Sequence, residues 1–298
     1  MKCSKYTKLI LVIISLVGMW SGRTFVARAD NGQSDIFSVS VNLPQNQLPN
    51  GHSYFDLKLH KHHRQTISVT VFNNSHNPIK VQSAIRDAYM NNNGTIAYGQ
   101  LKLSSKLSKQ YQMSKITKLQ STKPVIIPAQ SSKKIKAWIT LPKDGYQQGV
   151  VLGGWYFKQI DQLNHTISGV RNQYSYLIGL KYTLTKEVQP KLSLHRVLLT
   201  KKNPQSLLLQ LTNSKAALVP NLKYDVNIYQ EHKKTPLLHY TLSGGSFAPR
   251  SSFKLAVPLK GKVLKSGRYL AKVNVENAQN KWQLVKKFGV AKDGALKQ

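Results

Sequence analysis

The chain has 298 residues, with 44 lysines and arginines against 11 acidic residues, and its formal net charge is +33. Because Cys3 is its one cysteine, no intramolecular disulfide can form, and the fold must depend on ordinary burial of apolar side chains. The length allows two domains of ordinary size, and the charge predicts attraction to polyanions. A surface that only keeps the protein soluble is the alternative interpretation of this charge.

Residues 1–29 predict a cleaved secretory signal peptide. Three lysines precede an apolar run from Leu9 to Trp20, which is shorter than the roughly 20 residues of a membrane-spanning helix. Ala27 and Ala29 then fit a cleavage site after Ala29. Cleavage there removes five basic residues and no acidic one, which lowers the net charge from +33 to +28. An exported chain of this charge favours anionic wall polymers as partners and argues against nucleic acid.

Beyond the signal peptide, most segments alternate apolar and polar residues with period two and are separated by turns, as in β-sandwiches. One helix is predicted over residues 101–120, where apolar residues recur every three to five positions. The predicted strands are ISVTVFN, KVQSAI, KKIKAWITL, LIGLKYTL, LLLQLTN, LKYDVNIYQ, FKLAVPL and RYLAKVNVEN.

The strand pattern is repeated once along the chain. TVFNNSHNPIKVQSAI, PAQSSKKIKAWITL and GVVLGGWYF have counterparts of the same order in QLTNSKAALVPNLKYDV, APRSSFKLAVPL and GRYLAKVNVEN. Two copies of one β-sandwich plan explain this order. The two copies should join near residues 186–191, where Lys, Glu and Pro interrupt the strand pattern.

The uncharged run from Gln147 to Phe157 has two interpretations. A continuous apolar run is typical of a central strand buried on both faces, and a diglycine suits a bulge or the close approach of another backbone. Alternatively, rings at the strand end stack on sugars while Gln147, Gln148 and Asn172 supply amides. The candidate glycan-binding residues are Tyr146, Trp155, Tyr156, Tyr174 and Tyr176.

No pattern in the sequence predicts catalysis, a cofactor or a metal site. Nucleophile-elbow, zinc-protease, phosphate-loop and paired-cysteine motifs are absent. The acids of the middle region are interpreted as turn and surface residues, and His60–His63 as an exposed basic loop. An open sheet edge that accepts a partner's strand is a further possibility. The acids in question are Asp56, Asp87, Asp144 and Asp161.

Several segments, in their order along both halves, resemble the WxL-interacting protein family of Gram-positive surface proteins. They are FSVSVNLPQNQ, YFDLKL, TVFNNS, NNNGTIAY, IPAQSSKKIKAWITLP, GVVLGGWYF and YSYLIGLKYTLTKEVQPKLSLHRV in the first part, and NLKYDVNIYQ with SFAPRSSFKLAVPLKGKVLKSGRYLAKVNVENAQNKWQLVKKFGV in the second.

This resemblance implies an all-β fold of two tandem immunoglobulin-like β-sandwich domains. The implied domains are a peptidoglycan-binding domain over residues 35–186 and a host-binding domain over residues 190–292. It also implies WxL-domain surface proteins and host extracellular-matrix protein as partners, and no enzymatic activity. Members usually end in a membrane-spanning helix, whereas no apolar run follows Phe288 here. A stand-alone, secreted polysaccharide-binding module is the alternative interpretation.

Overall fold

The computed structural model describes residues 37–49, 53–99, 111–160, 174–200, 205–292 and 295–297. The predicted signal peptide, Asp161 and Asn172 therefore lie outside the described residues. Ile36–Gln298 form one compact unit that contains both sandwiches. Its strands are β1 Phe37–Asn42, β2 Phe55–Lys58, β3 Arg64–Asn73, β4 Ile79–Met90, β5 Ile96–Gly99, β6 Thr117–Leu119, β7 Val125–Ile127, β8 Ser131–Thr140, β9 Val150–Ile160, β10 Ser175–Thr183, β11 Leu192–Leu199, β12 Ser206–Asn213, β13 Val219–Gln230, β14 Leu238–Phe247, β15 Ser251–Pro258, β16 Gly267–Glu276, β17 Lys281–Val290 and β18 Leu296–Lys297.

The first sandwich consists of two sheets. One has the order β1-β3-β8-β6, and the other has the order β2-β10-β9-β4-β5, with β7 also paired to β4. The pairs are antiparallel apart from β2, which lies parallel to β10. Alternate residues of each strand are buried, such as Val69 and Val71 on β3 and Trp155 and Phe157 on β9. The period-two pattern thus places one apolar face of each sheet in a shared core.

The second sandwich repeats this arrangement with sheets β11-β12-β15 and β14-β13-β16-β17-β18. Its core includes Leu209 from the smaller sheet and Tyr224 and Val273 from the larger one. The stretch 184–191 between the two sandwiches contains no strand. Both halves are therefore β-sandwiches, as the sequence predicts.

The predicted internal repeat is confirmed by equivalent strand pairs and by one hydrogen-bonding device. β3 pairs with β8 as β12 pairs with β15, and β4 pairs with β9 as β13 pairs with β16. Asn73 and Asn213, both buried, end the corresponding strands. Each amide donates to the carbonyl four residues later, at 2.8 and 2.7 Å, and to Pro128 or Ala248, at 2.7 and 3.3 Å. The conserved geometry within one chain fixes the turn that leads from the smaller sheet to the larger one.

The predicted helix over residues 101–120 is wrong where the structure describes it. Residues 111–120 contain one helical turn, α1 (Met113–Ile116), followed directly by β6; residues 101–110 lie outside the described residues. Asp87 on β4 holds this turn, because its carboxylate accepts hydrogen bonds from the Ser114 backbone at 2.8 Å and hydroxyl at 2.7 Å. Pairing with β8 then keeps Thr117–Leu119 extended.

The two sandwiches share core contacts at the hairpin between β4 and β5. Met90 is 8 % exposed and belongs to the core of the second sandwich, and Ile96 packs against the same core. The backbone N–H of Ala248 donates to the Met90 sulfur at 3.2 Å, and that of Ser246 donates to the Gly94 carbonyl at 3.0 Å. A hairpin of the first sandwich is thus part of the second core.

Two buried tyrosines, one in each sandwich, differ in one hydrogen bond. The Tyr182 hydroxyl accepts a hydrogen bond from the Thr117 hydroxyl at 3.2 Å. The Tyr224 hydroxyl is buried without a partner among the residues described. Burial raises the pKa of both tyrosines well above the ordinary value.

We expect Tyr224→Phe to keep or raise the free energy of unfolding at pH 7, because it removes an unsatisfied buried hydroxyl. Tyr182→Phe should lower it by about 1 kcal/mol, because a hydrogen bond is lost. Above about pH 10 tyrosines ionise in the unfolded chain and stay protonated in the folded one, so stability falls as pH rises. Each phenylalanine should make that fall shallower. Urea unfolding at pH 7 and at several values above pH 10 measures both effects, and an unchanged slope in both variants would contradict them.

Candidate functional site

The structure places Trp155 and Tyr146 inside the first sandwich. Trp155 is fully buried and stacks on Phe157 with ring centroids 5.3 Å apart. Tyr146 is 8 % exposed, and its hydroxyl accepts from the backbone N–H and donates to the carbonyl of Gln112, both at 3.0 Å. Both rings therefore contribute to packing, and Tyr146 fixes the segment that leads into α1.

Tyr174 and Tyr176 lie half-buried at the other end of the same sheet. Both pack against the core of the first sandwich. Tyr176 meets Phe37 edge to face, with ring centroids 4.9 Å apart. Their rings are directed towards the core edge, so the structure does not bring them together with Tyr156.

Tyr156 lies on the outer face of the sheet, since its neighbours Trp155 and Phe157 point inward. β9 is the central strand of this sheet, which supports the interpretation of Gln147–Phe157 as a core strand. The run thus combines a buried face with an outer face.

The diglycine is required by close packing on both faces of β9. A Cβ built on Gly153 would lie 2.4 Å from the Cβ of Met113 and 2.6 Å from the Arg86 carbonyl oxygen. On the outer face, a Cβ on Gly154 would lie 2.6 Å from Leu177 Cδ1. Gly153 therefore admits α1 to the sheet, and Gly154 lets neighbouring side chains lie flat on it.

These side chains form a surface that we call the tyrosine face, defined by Tyr54, Arg86, Tyr98, Tyr156 and Leu177. The residues come from five adjacent chain segments and surround Gly154 and Gly179, which lie opposite each other on β9 and β10. Cβ atoms built on the two glycines would lie 3.3 Å from Tyr54 and 3.5 Å from Tyr98.

The tyrosine face combines aromatic surface with a positive charge. The Arg86 guanidinium carbon lies 5.3 Å from the centroid of the Tyr156 ring, a cation–π arrangement. Leu177 is 42 % exposed, whereas the three tyrosines are half-buried. Burial raises the pKa of Tyr98, so its hydroxyl remains protonated at neutral pH and can donate a hydrogen bond.

The sequence analysis missed Tyr54, Tyr98 and Arg86 as members of this face. Arg86 and Tyr156 become neighbours through antiparallel pairing of β4 with β9, which joins segments 70 residues apart. The available signal was parity, because Tyr156 and Arg86 each alternate with buried residues on their own strands. Parity does not reveal which strands are adjacent.

Two of the acidic residues differ from their predicted turn and surface positions. Asp56 is buried on β2 and pairs with the ammonium of Lys181 at 2.9 Å. Asp87 lies on β4 and holds α1, as described above. Asp144 is exposed in a turn, as predicted. His60–His63 form the turn between β2 and β3, where His63 bonds Gln65 at 2.7 Å.

The comparison with family models divides the chain into two parts. Residues 37–159 match the model described as WxL Interacting Protein, peptidoglycan binding domain. Residues 166–298 match the model described as WxL Interacting Protein, host binding domain. The chain belongs to the WxL-interacting protein family. The order of these two models in the WxL-interacting protein is the order that its sequence predicts, and they indicate peptidoglycan binding followed by host binding.

Solved structures similar to this WxL-interacting protein include three fimbrial or related chaperones. The YadV chaperone is 12 % identical, with 85 % of this chain and 99 % of that chain covered and a TM-score of 0.35. The class 5 fimbriae chaperone CfaA is 14 % identical, with 78 % and 95 % covered and a TM-score of 0.34. The Pseudomonas aeruginosa CupB2 chaperone is 9 % identical, with 78 % and 96 % covered and a TM-score of 0.32. No curated protein matches the chain.

The matched domains of this WxL-interacting protein indicate a location outside the cell or at the cell wall. Across the residues described, no helix has the length and apolarity to cross a membrane. 

Proposed function

We propose that the first sandwich binds the glycan strands of peptidoglycan through the tyrosine face. The observation that carries this proposal is the arrangement of Tyr54, Tyr98 and Tyr156 around two facing glycines, with Arg86 against one ring. The match of residues 37–159 to a peptidoglycan-binding domain supports it.

The chemistry of the face suits a sugar polymer that carries carboxylates. The faces of sugar rings are apolar and pack on flat aromatic surface, while tyrosine hydroxyls supply hydrogen bonds at the ring edges. A guanidinium binds carboxylates through charge-assisted hydrogen bonds. The glycines keep the floor flat, because any side chain there would stand between the sugar and the tyrosines.

We propose further that the protein acts by adhesion and not by catalysis. In this proposal it is exported with removal of residues 1–29, and its domains are the two predicted ones, 35–186 and 190–292. The second sandwich binds a WxL-domain surface protein and host extracellular-matrix protein, while the positive charge attracts anionic wall polymers. A secreted module that binds polysaccharide alone is the second candidate, favoured by the apolar run that is missing after Phe288.

Purified sacculi test the peptidoglycan proposal. We expect residues 30–298 to co-sediment with sacculi at high salt and after removal of teichoic acid, because aromatic contacts are not screened by salt. Tyr156→Ala and Tyr54→Ala should each lower the affinity about tenfold or more, as at the centre of other interfaces. The free energy of unfolding should change little, since both rings are partly exposed.

Trp138→Ala is the matched control, because Trp138 is 48 % exposed on the opposite sheet of the same sandwich. Its binding should equal that of the unchanged protein. Binding that disappears at high salt or without teichoic acid would show that charge alone holds the protein, which would refute the tyrosine face as a site. Release of soluble wall fragments would refute the proposal that the protein is not an enzyme.

A further inference from the structure

The outer face of the larger sheet in the second sandwich contains a groove that the peptidoglycan proposal does not use. Its cavity volume is about 910 Å³, within the range of ligand-binding clefts. The floor comes from β13, β16 and β17, and one wall is the turn Glu231–Lys234 that follows β13. The backbone N–H of Glu231 donates to the Arg268 carbonyl at 2.9 Å, which fixes this wall against the floor.

Strand register places an apolar strip between the cations of this groove. Tyr229, Leu270 and Lys287 are direct neighbours across β13, β16 and β17. Tyr229 and Leu270 are half-buried, so part of each side chain is accessible in the groove. The floor can therefore contact an apolar surface as well as a charge.

Five cationic side chains line the groove, against one carboxylate. Arg268 takes up that carboxylate, with its Nε 2.5 Å from Glu231. The other four cations are Lys233, Lys234, Lys272 and Lys287. These four lysines form no ion pair within the part of the chain that the structure describes. We call this site, with its Tyr229–Leu270 floor, the lysine groove.

The lysines are spaced along the sheet and not gathered at one point. Lys287 lies opposite Leu270, halfway between Arg268 and Lys272 on β16. With strands about 4.8 Å apart and same-face residues about 6.8 Å apart, Lys287 is based about 8 Å from each of them. Such spacing suits a chain that carries an anionic group on successive units better than one small anion.

From this geometry we infer that the lysine groove binds a polyanionic saccharide or polyol chain that carries sulfate or phosphate groups. Lysine ammonium groups bind such oxyanions as point charges, and Tyr229 with Leu270 contacts the carbon skeleton between them. An acidic peptide fits less well, because every floor strand is paired on both sides and leaves no sheet edge for strand addition. The inference is independent of the tyrosine face, which belongs to the other sandwich.

Fluorescence anisotropy with labelled probes and the chain of residues 30–298 tests this inference. The sulfate probe is a heparin-derived hexasaccharide, and the phosphate probe is a short poly(glycerol phosphate). A neutral dextran oligosaccharide and a polyglutamate of matched charge serve as competitors. We expect at least one anionic chain to bind and to be displaced by neither competitor, and comparing the two identifies the source.

The variants K272Q/K287Q and K223Q/K281Q separate the groove from the general field. Lys223 and Lys281 lie on the same sheet face and remove the same charge, but both pair with Glu276 at 3.8 Å and lie outside the groove. K272Q/K287Q should weaken binding at least about tenfold and reduce the slope of log affinity against log salt by about one. K223Q/K281Q should change affinity less than about threefold.

Tyr229→Ala tests the floor separately. It should weaken saccharide binding several-fold and leave the binding of inorganic tripolyphosphate unchanged, because the small anion does not need the apolar strip. Equal losses in the two lysine pairs, equally tight binding of polyglutamate, or no binding of either chain would overturn the inference. K272Q/K287Q should retain binding to teichoic acid-free sacculi, so failure of the groove and failure of the tyrosine face give different results.

Discussion

Trp155→Ala is expected to lower the free energy of unfolding of the first sandwich by about 3–5 kcal/mol, as for other large aromatic side chains removed from cores. Trp155 is fully buried and stacks on Phe157, so the truncation leaves a cavity in the centre of the sheet. Surrounding strands cannot collapse into this cavity, because β9 is paired on both sides. Urea unfolding followed by tyrosine fluorescence and circular dichroism measures the loss.

Two matched variants show whether packing is the cause. Trp138→Ala makes the same substitution at a ring that is 48 % exposed, and it should cost less than about 1 kcal/mol. Trp155→Phe keeps an aromatic ring and removes an indole N–H that is buried without a partner in the described structure, so its cost should be intermediate. If Trp155→Phe retained full stability but lost sacculus binding, Trp155 would be a sugar contact and the packing explanation would be wrong.

Met90→Ala is expected to destabilise the second sandwich, although Met90 belongs to a strand of the first. The substitution removes a side chain from the second core and the sulfur that accepts the Ala248 N–H. Burial of this kind is worth about 2–5 kcal/mol when methionine is truncated. Hydrogen exchange measures the effect by region, because amides of β13 and β16 should lose protection first.

Met113→Ala is the control for Met90→Ala. Met113 is fully buried in the core of the first sandwich, so the same truncation should lower protection in β9 and leave β13 and β16 unchanged. If both variants lowered protection equally in both sandwiches, the whole chain would unfold as one unit. If Met90→Ala affected the first sandwich only, the shared contact would contribute nothing to the second core.

The sequence predicted the sheet-forming segments well, because half-buried strands show alternation in their own residues. The two related turns at Asn73 and Asn213 were also visible as a repeated motif. The helix was mispredicted because Tyr111, Ile116 and Leu119 are spaced as on a helix but are buried by separate contacts. α1 is held by Asp87, which is distant in sequence, so no local pattern could limit its length.

The candidate sites were less predictable than the fold. Aromatic residues marked the correct strand, yet the argument gave Trp155 and Tyr156 the same role when alternation puts them on opposite faces. The lysine groove depends on register, since Lys287 faces Leu270 across two strands. Its sequence signal was the alternation of Arg268, Leu270 and Lys272 on one side of β16. Choosing the pairing requires the three-dimensional structure.

The hairpin that carries Met90 into the second core also determines how the protein would bear a mechanical load. A tether between wall and host ligand pulls the two sandwiches apart, and a linker of residues 184–191 alone would extend under low force. The hairpin adds a second connection, because tension on the second sandwich is also transmitted through β4 into the centre of the first sheet. Its failure requires Met90 and Ile96 to leave an apolar core. The assembly therefore resists stretching until that contact yields, and only then does the linker become the longer, compliant element.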